Sequence, residues 1–350
     1  MNGRDITVAR RPLVAALILT ALTGLGVAQD RQAPWPREPE TPNAPRPEPA
    51  PVAWLGLIGE YATGGAEPSR LIVLERDGRL MAMADEAPAA PIETGAFARG
   101  NDMRGARVTW DGETYTRVPL GPEPGTAQLR IRPLRPVAQL VEEAKQAEPP
   151  AEKGDFLPPD LVELTTLDPS IRLDIRYATT NNFLGSVFYS QPRAFLQRPA
   201  AEALVRVNRT LGLLGYGLLV HDGYRPWYVT KAFWDATPED TKWLVANPAS
   251  GSRHNRGAAV DLTLYDRKTG DVIEMPSTYD ESTHRAYAFY PGGTTLERWH
   301  RALLRRSMEV EGFTVNPEEW WHFDFNDWQR YRIGNVPFEQ IQGGQFQIED

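Results

Sequence analysis

Two histidines, an aspartate and a glutamate stand in two short segments whose side chains suit a divalent metal. Ser252-Arg253-His254-Asn255-Arg256-Gly257-Ala258-Ala259-Val260-Asp261 sets a histidine and an aspartate seven residues apart, across a glycine. Glu319-Trp320-Trp321-His322 sets a carboxylate three residues before a second histidine. Two imidazoles and one carboxylate match the three-ligand set of catalytic zinc, which keeps its fourth position for water. The chemistry of such a set is hydrolysis, and Glu319 is spaced to take the proton of the attacking water. Asp222-Gly223-Tyr224-Arg225-Pro226 adds a guanidinium on a tight turn, able to stabilise an oxyanion that develops in the transition state.

The remaining chemistry is bounded by what is missing. There is no cysteine, so a zinc ion here would rest on His, Asp and Glu alone, without thiolates or disulfides. His221, His284 and His300 read as structural, His300 packing on its own helix. Trp320 and Trp321 read as core or pocket wall. No Gly-x-Ser-x-Gly elbow, Gly-Lys-Ser/Thr phosphate loop or Rossmann fingerprint is found. The net charge of −8 argues against a nucleic-acid binder.

The elements that must position these residues can be read from periodicity. Val260, Leu262 and Leu264 alternate, which places Asp261 on the opposite face of a strand. Trp321, Phe323 and Phe325 do the same for His322 and Asp324. Gly257 allows the sharp turn that would let His254 in a loop meet Asp261 on the strand. Pro199 suits a first helical turn, and Ala203, Leu204, Val207, Leu211 and Leu214 follow at helical spacing until Gly215. Thr294-x-x-Glu297 is a capping box. It opens a helix with Leu296, Trp299, Leu303 and Val310 inward, closed by Gly312. Strands and helices interleave without the regular spacing of a doubly wound sheet. The expected class is α+β, a peptidase domain with a central antiparallel sheet and flanking helices.

At 350 residues and 41% hydrophobic, the chain has room for this domain and a smaller one. Residues 1–28 read as a signal peptide: Arg4, Arg10 and Arg11 precede an apolar run from Leu13 to Leu25, and small residues follow. The run is shorter than the roughly 20 apolar residues of a membrane span. An exported protein, periplasmic or extracellular, with no stable span after cleavage is therefore expected. Residues 29–52 form a proline-rich linker, and 53–136 a small β-rich domain with Asp77-Gly78 and Asp111-Gly112 as hairpin turns. Its strands are expected at Leu71 to Leu74, Ala106 to Trp110, Thr114 to Val118 and Gln128 to Ile131. Residues 137–159 are a helix and linker, 160–335 the peptidase domain, and 336–350 a C-terminal tail. The oligomeric state is not legible.

Six separated segments, in the same order, resemble the VanX-like D-alanyl-D-alanine dipeptidases. They are Asp174 to Thr179, Asn182 to Gly185, Asp222 to Pro226, Ser252 to Asp261, Met275 to Asp280 and Glu319 to His322, and they span most of residues 160–330. The resemblance implies one zinc ion per chain on His254, Asp261 and His322, with Glu319 as general base and Arg225 as transition-state cation. It also implies Asp280 as partner of the substrate ammonium, with Ser252 and Tyr177 in the dipeptide pocket. A pocket that buries both ends of a zwitterion needs a partner for each charge, which restricts the substrate to small D,D-dipeptides. Asn181-Asn182 and Pro276-Ser277 depart from the family's usual residues, and both pairs are expected near the substrate. The alternatives are a zinc D,D-carboxypeptidase or peptidoglycan endopeptidase, and a non-catalytic wall-binding protein.

Overall fold

A computed structural model of the chain describes residues 45–64, 69–84, 87–98, 106–119 and 130–341. The expected signal peptide, and the expected proline-rich linker up to residue 44, lie outside the described residues. Among those described, no helix is long and apolar enough to cross a membrane.

The first elements follow from the two Asp-Gly pairs. Asp77 and Gly78 have φ 49° and 73°, and Asp111 and Gly112 have φ 49° and 80°. Two successive left-handed residues twist the chain in the sense that paired strands need, so each pair closes a two-residue hairpin. After α1 (Val52–Leu55) come β1 (Gly59–Ala62), β2 (Arg70–Arg76), β3 (Arg79–Ala84), β4 (Ala90–Pro91), β5 (Phe97–Ala98), β6 (Arg107–Trp110) and β7 (Glu113–Arg117). They form one antiparallel sheet in the order β4-β3-β2-β1-β7-β6-β5. On β2, Leu71 and Val73 enter this sheet's own core with Tyr61, Val108 and Tyr115. Ile72 and Leu74 face the other way and pack on Tyr290, far along the chain. Alternate residues of a strand point to opposite faces, so one strand serves two cores. Each fully buried aliphatic side chain contributes roughly 1.5–3 kcal/mol. The strand expected at Gln128 to Ile131 is not formed at its described end. Ile131 N–H instead donates to the Phe183 carbonyl at 2.8 Å, and Arg130 to the carbonyls of Thr180 and Asn182.

The rest of the chain contains α2 (Val137–Lys145), β8 (Leu161–Glu163), α3 (Leu164–Leu167), β9 (Arg172–Leu173), β10 (Phe195–Gln197), α4 (Arg198–Gly212), β11 (Tyr216–Asp222), α5 (Trp227–Ala236), β12 (Ala259–Asp266), α6 (Thr295–Val310), β13 (Phe313–Asn316) and β14 (Glu319–Phe325). Five strands make the central sheet, in the order β13-β14-β12-β11-β9. It is antiparallel except at its edge, where β9 runs parallel to β11. Helices α4 and α6 pack against it, and α2 lies against α5. The class is α+β.

Three expectations need correction. Helix α4 buries Ala203, Leu204, Val207 and Leu211 but ends at Gly212, so Leu214 lies beyond it and is exposed. Helix α6 has its capping box, with Thr294 Oγ1 accepting from Glu297 N–H. Its inner face, however, is His300, Arg301, Leu304 and Met308, while Trp299 and Leu303 sit at the core's edge and Val310 is exposed. The face is rotated because Arg301 turns inward, where its guanidinium donates to the carbonyls of Tyr287 and Tyr290. Counting only apolar residues misses a cation that finds buried acceptors. The expected C-terminal tail belongs, as far as residue 341, to the core. Phe338 packs on Tyr189 and Phe195 with ring centroids 4.8 and 5.3 Å away, and Ile341 is buried. The segment before β8 is likewise strapped down, with Glu152 accepting from Arg256 and from Ile333 N–H.

Candidate active site

The site is one transverse row across the central sheet. Asp261 on β12 pairs directly with His322 on β14, and Asp222 at the end of β11 pairs with Asp261 from the other side. Cross-strand partners project from the same face. A bulge in β11 between Val220 and Asp222 brings Asp222 into the row. His254 arrives from a single 3-10 turn, His254–Arg256, closed by Gly257 at φ 65°. A Cβ on Gly257 would also come within 2.5 Å of Leu161. Glycine is required there both for backbone conformation and for space.

Three donor atoms converge. His254 Nε2 lies 3.2 Å from His322 Nδ1 and 3.4 Å from Asp261 Oδ1, and His322 Nδ1 lies 2.9 Å from Asp261 Oδ1. Among the described residues, these three form the group able to hold a metal ion. Ligand atoms at about 2.0–2.2 Å from one tetrahedral zinc stand roughly 3.3–3.6 Å apart. The observed triangle is close to that and slightly tighter. Two neutral imidazoles and a carboxylate are also the right donor chemistry for a divalent ion.

Each donor is fixed from behind. His254 Nδ1 faces the Gly223 carbonyl at 2.8 Å, which sets the tautomer that leaves Nε2 free to ligate. His322 Nε2 meets Asp324 Oδ1 at 3.0 Å, leaving Nδ1 for the ion. Asp324 is itself bound by Arg253 at 2.5 Å. Asp261 Oδ2 accepts from the Tyr279 hydroxyl at 3.1 Å. Burial would raise the Asp261 carboxyl, but His254 and His322 beside it hold it well below the usual carboxylate range.

Around this triangle is a pocket of about 220 Å³, and all eight residues singled out in the sequence line it: Tyr177, Arg225, Ser252, His254, Asp261, Asp280, Glu319 and His322. Glu319 Oε2 is 3.8 Å from His322 Nδ1 and accepts from Asn316 Nδ2 at 3.1 Å. Its surroundings raise the carboxyl above the ordinary glutamate range: desolvation first, with Asp261 adding and His322 opposing. The side chain keeps 42% of its surface open to the pocket, which moderates that rise. Arg225 is buried, and its Nε and Nη2 both donate to Asp222 Oδ2, at 3.0 and 2.7 Å. Tyr189 Oη holds the other Asp222 oxygen at 2.7 Å. The Arg225 guanidinium also lies over the rings of Tyr177 and Phe233, 5.2 and 5.0 Å from their centroids.

Asp280 takes left-handed backbone, φ 59°, which turns its carboxyl into the pocket. Burial, with Asp261 and Glu319 adding, pushes that carboxyl up to about 8. Tyr177 Oη is its neighbour at 3.4 Å. The Ser252 hydroxyl faces the backbone N–H of His254 at 3.2 Å. Asn181-Asn182 and Pro276-Ser277 do not line the pocket. Asn182 is a buried turn residue donating to the carbonyls of Arg176, Thr179 and Ser186, and Ser277 Oγ accepts from Trp320 Nε1.

The other histidines stay outside the triangle. His221 stacks on Tyr279 at 4.5 Å and reaches Asp174, His284 contacts Arg70, and His300 contacts Tyr216 Oη. Sequence reasoning assigned no role to Asp222, Tyr279, Asn316 or Asp324. Asp324 had a signal, since residues two apart on a strand share a face. Asn316 and the Gly223 carbonyl had none.

The profile of the family described as D-ala-D-ala dipeptidase matches residues 159–339. The D-alanyl-D-alanine dipeptidase of Escherichia coli (strain K12) is 33% identical over 165 residues, which is 47% of this chain and 84% of that protein. The one from Enterococcus faecalis is 35% identical over 178 residues, covering 45% of this chain and 87% of that protein. The one from Streptomyces coelicolor is 32% identical over 189 residues, covering 48% and 92%.

Proposed function

The chain belongs to the D-ala-D-ala dipeptidase family, and from that premise we propose that it hydrolyses D-Ala-D-Ala to free D-alanine with one zinc ion per chain. The single observation that carries the reading is the donor triangle of His254, Asp261 and His322, with separations of 2.9 to 3.4 Å. His254, Asp261 and His322 would hold the zinc ion, which when bound would supply Lewis acidity for the scissile carbonyl and for a water that reacts near neutral pH.

The chain's own residues do the rest. Glu319 takes the proton of the attacking water at a carboxylate oxygen, and passes it to the amide nitrogen as the C–N bond breaks. Asn316 holds Oε2 of Glu319, so the carboxylate is aimed before substrate arrives. Arg225, anchored by Asp222, presents fixed positive charge to the oxyanion and pays no reorganisation when it forms. Asp280 stands as the counter-charge for the substrate ammonium. A carboxyl that burial keeps protonated to about pH 8 ionises readily once a cation enters beside it.

The substrate comes from cell-wall turnover outside the cytoplasm, a reading supported by the arginines and the apolar run at the N-terminus. The test is metal analysis with D-Ala-D-Ala hydrolysis, on the wild type and on Glu319→Gln. Free dipeptide should be cleaved faster than a pentapeptide ending in D-Ala-D-Ala. Faster cleavage of the pentapeptide would move the assignment to a carboxypeptidase.

A further inference from the structure

The pocket's Asp280 side is built by a long irregular segment, residues 275–293, whose regular structure is one short 3-10 turn at His284–Ala286. This segment supplies Asp280, Glu281 and Ser282 to the pocket and Tyr279 to Asp261. Its own domain holds it through Trp320 to Ser277, Ala288 N–H to the Pro317 carbonyl, Arg301 to the carbonyls of Tyr287 and Tyr290, and the burial of Met275, Tyr279, Ala286 and Ala288 in the main core. Behind it is a second cavity of about 580 Å³, walled by Met275, Tyr279 and Tyr290 on one side and by Leu55, Ile58 and Arg117 on the other. On the side of this cavity the segment has no solid packing behind it, and discrete anchors must hold it there.

The seven-stranded sheet provides them. Leu74 of β2 bridges Gly293, and Glu75 N–H donates to the Gly293 carbonyl at 3.1 Å. The Glu75 carboxylate, itself buried, accepts from Thr295 N–H at 2.7 Å and from Gly78 N–H at 2.7 Å. It thereby ties the first turn of α6 to the β2–β3 hairpin. Arg298 donates to the Glu75 carbonyl at 2.8 Å. Ile72 and Leu74 enclose Tyr290, and Arg70 meets His284 at 2.6 Å. The contacts fall on residues 284 to 298, the downstream half of the segment and the helix start after it. By contrast, the metal-site donors sit on β12, β14 and the His254 turn.

We infer that the seven-stranded sheet is a clamp that positions the Asp280 side of the dipeptide pocket, with Glu75 as its principal positioning residue. The kinetic part of this inference rests on the dipeptidase reading. A segment fixed at both ends and at points between has fewer conformations to lose when substrate binds, so loosening it weakens binding more than chemistry.

The test uses the full chain with Glu75→Gln, which keeps the side-chain shape, and Arg70→Gln at the exposed contact. Measured together are KM and kcat for D-Ala-D-Ala, bound metal, and amide hydrogen exchange. For Glu75→Gln the expected result is a KM rise of about 5–10-fold with kcat within about twofold. Metal content should be unchanged, and exchange should be faster in 275–293 but not in 259–266 or 319–325. Arg70→Gln should act in the same direction and more weakly. Wild-type KM with wild-type exchange in 275–293 would overturn the clamp. So would loss of metal in step with faster exchange everywhere, since that is general unfolding. A wild type inert towards D-Ala-D-Ala would defeat the functional reading alone, because the exchange pattern tests the clamp without substrate.

Discussion

His322 Nε2 lies 3.0 Å from Asp324 Oδ1, two residues further along the same strand face. This contact decides which imidazole nitrogen carries the proton, and so which one is free to bind metal. Arg253 holds the far oxygen of Asp324, so the orientation passes from guanidinium to carboxylate to imidazole. Asp324→Ala should lower metal affinity by about 10–100-fold, the usual effect of losing such a partner. Titration with a competing chelator measures it. An affinity equal to wild type would mean that the neighbouring backbone alone orients the ring.

Glu319→Gln should keep the metal and lose turnover by roughly 10²–10⁴-fold, because the amide cannot accept the water's proton. Asn316→Ala should cost less, since it frees the carboxylate to rotate without removing it. Metal stoichiometry and kcat, measured on the same samples, separate the two roles. Retained turnover in Glu319→Gln would remove Glu319 from the chemistry.

Asp222 and Arg225 make a pair buried on both sides, with side-chain exposures of 1% and 10%. Removing one partner leaves the other charge buried without compensation. Asp222→Ala should therefore destabilise the fold by about 3–5 kcal/mol, readable as a shift in denaturant midpoint. Arg225→Lys keeps the charge but loses the fork that Asp222 grips. It should fold and lower kcat by about 10²–10³-fold with little change in KM. A change confined to KM would place Arg225 in ground-state binding.

His300 is buried against Tyr216, and burial, with the positive charge of Arg46, drops its imidazole to about 4. In the unfolded chain it titrates near the ordinary histidine value of about 6.5. Between these values the unfolded state binds the additional proton. Stability is thus fully present above about pH 6.5 and falls as the pH drops towards 4. The contribution is at most on the order of 3 kcal/mol. His300→Gln keeps a polar group near Tyr216 without the titration, so it should flatten the loss between pH 7 and 5 in denaturant unfolding. An unchanged slope would assign the acid loss to other groups.

By itself the sequence singled out His254, Asp261 and His322, which the fold gathers into one donor triangle, and determined the Asp-Gly hairpins, the capping box at Thr294 and the α+β class. All of these depend on residue type and on spacing over a few positions, where backbone geometry leaves little freedom. The helix faces were less legible. Arg301 and His300 turn inward because buried partners await them: the Tyr287 and Tyr290 carbonyls of the irregular segment before α6, and the Tyr216 hydroxyl of β11. Only the tertiary structure decided the register that sets Asp222, Asp261 and His322 in one row, since β12 pairs with β11 on one side and with β14 on the other and so gathers residues far apart in the chain. The same holds for the Gly223 carbonyl behind His254, which is a backbone group and has no sequence signature. It holds also for Glu75 of β2, whose carboxylate meets the start of α6. A buried carboxylate reads in sequence as a surface charge until the fold brings it the N–H groups that make its burial possible.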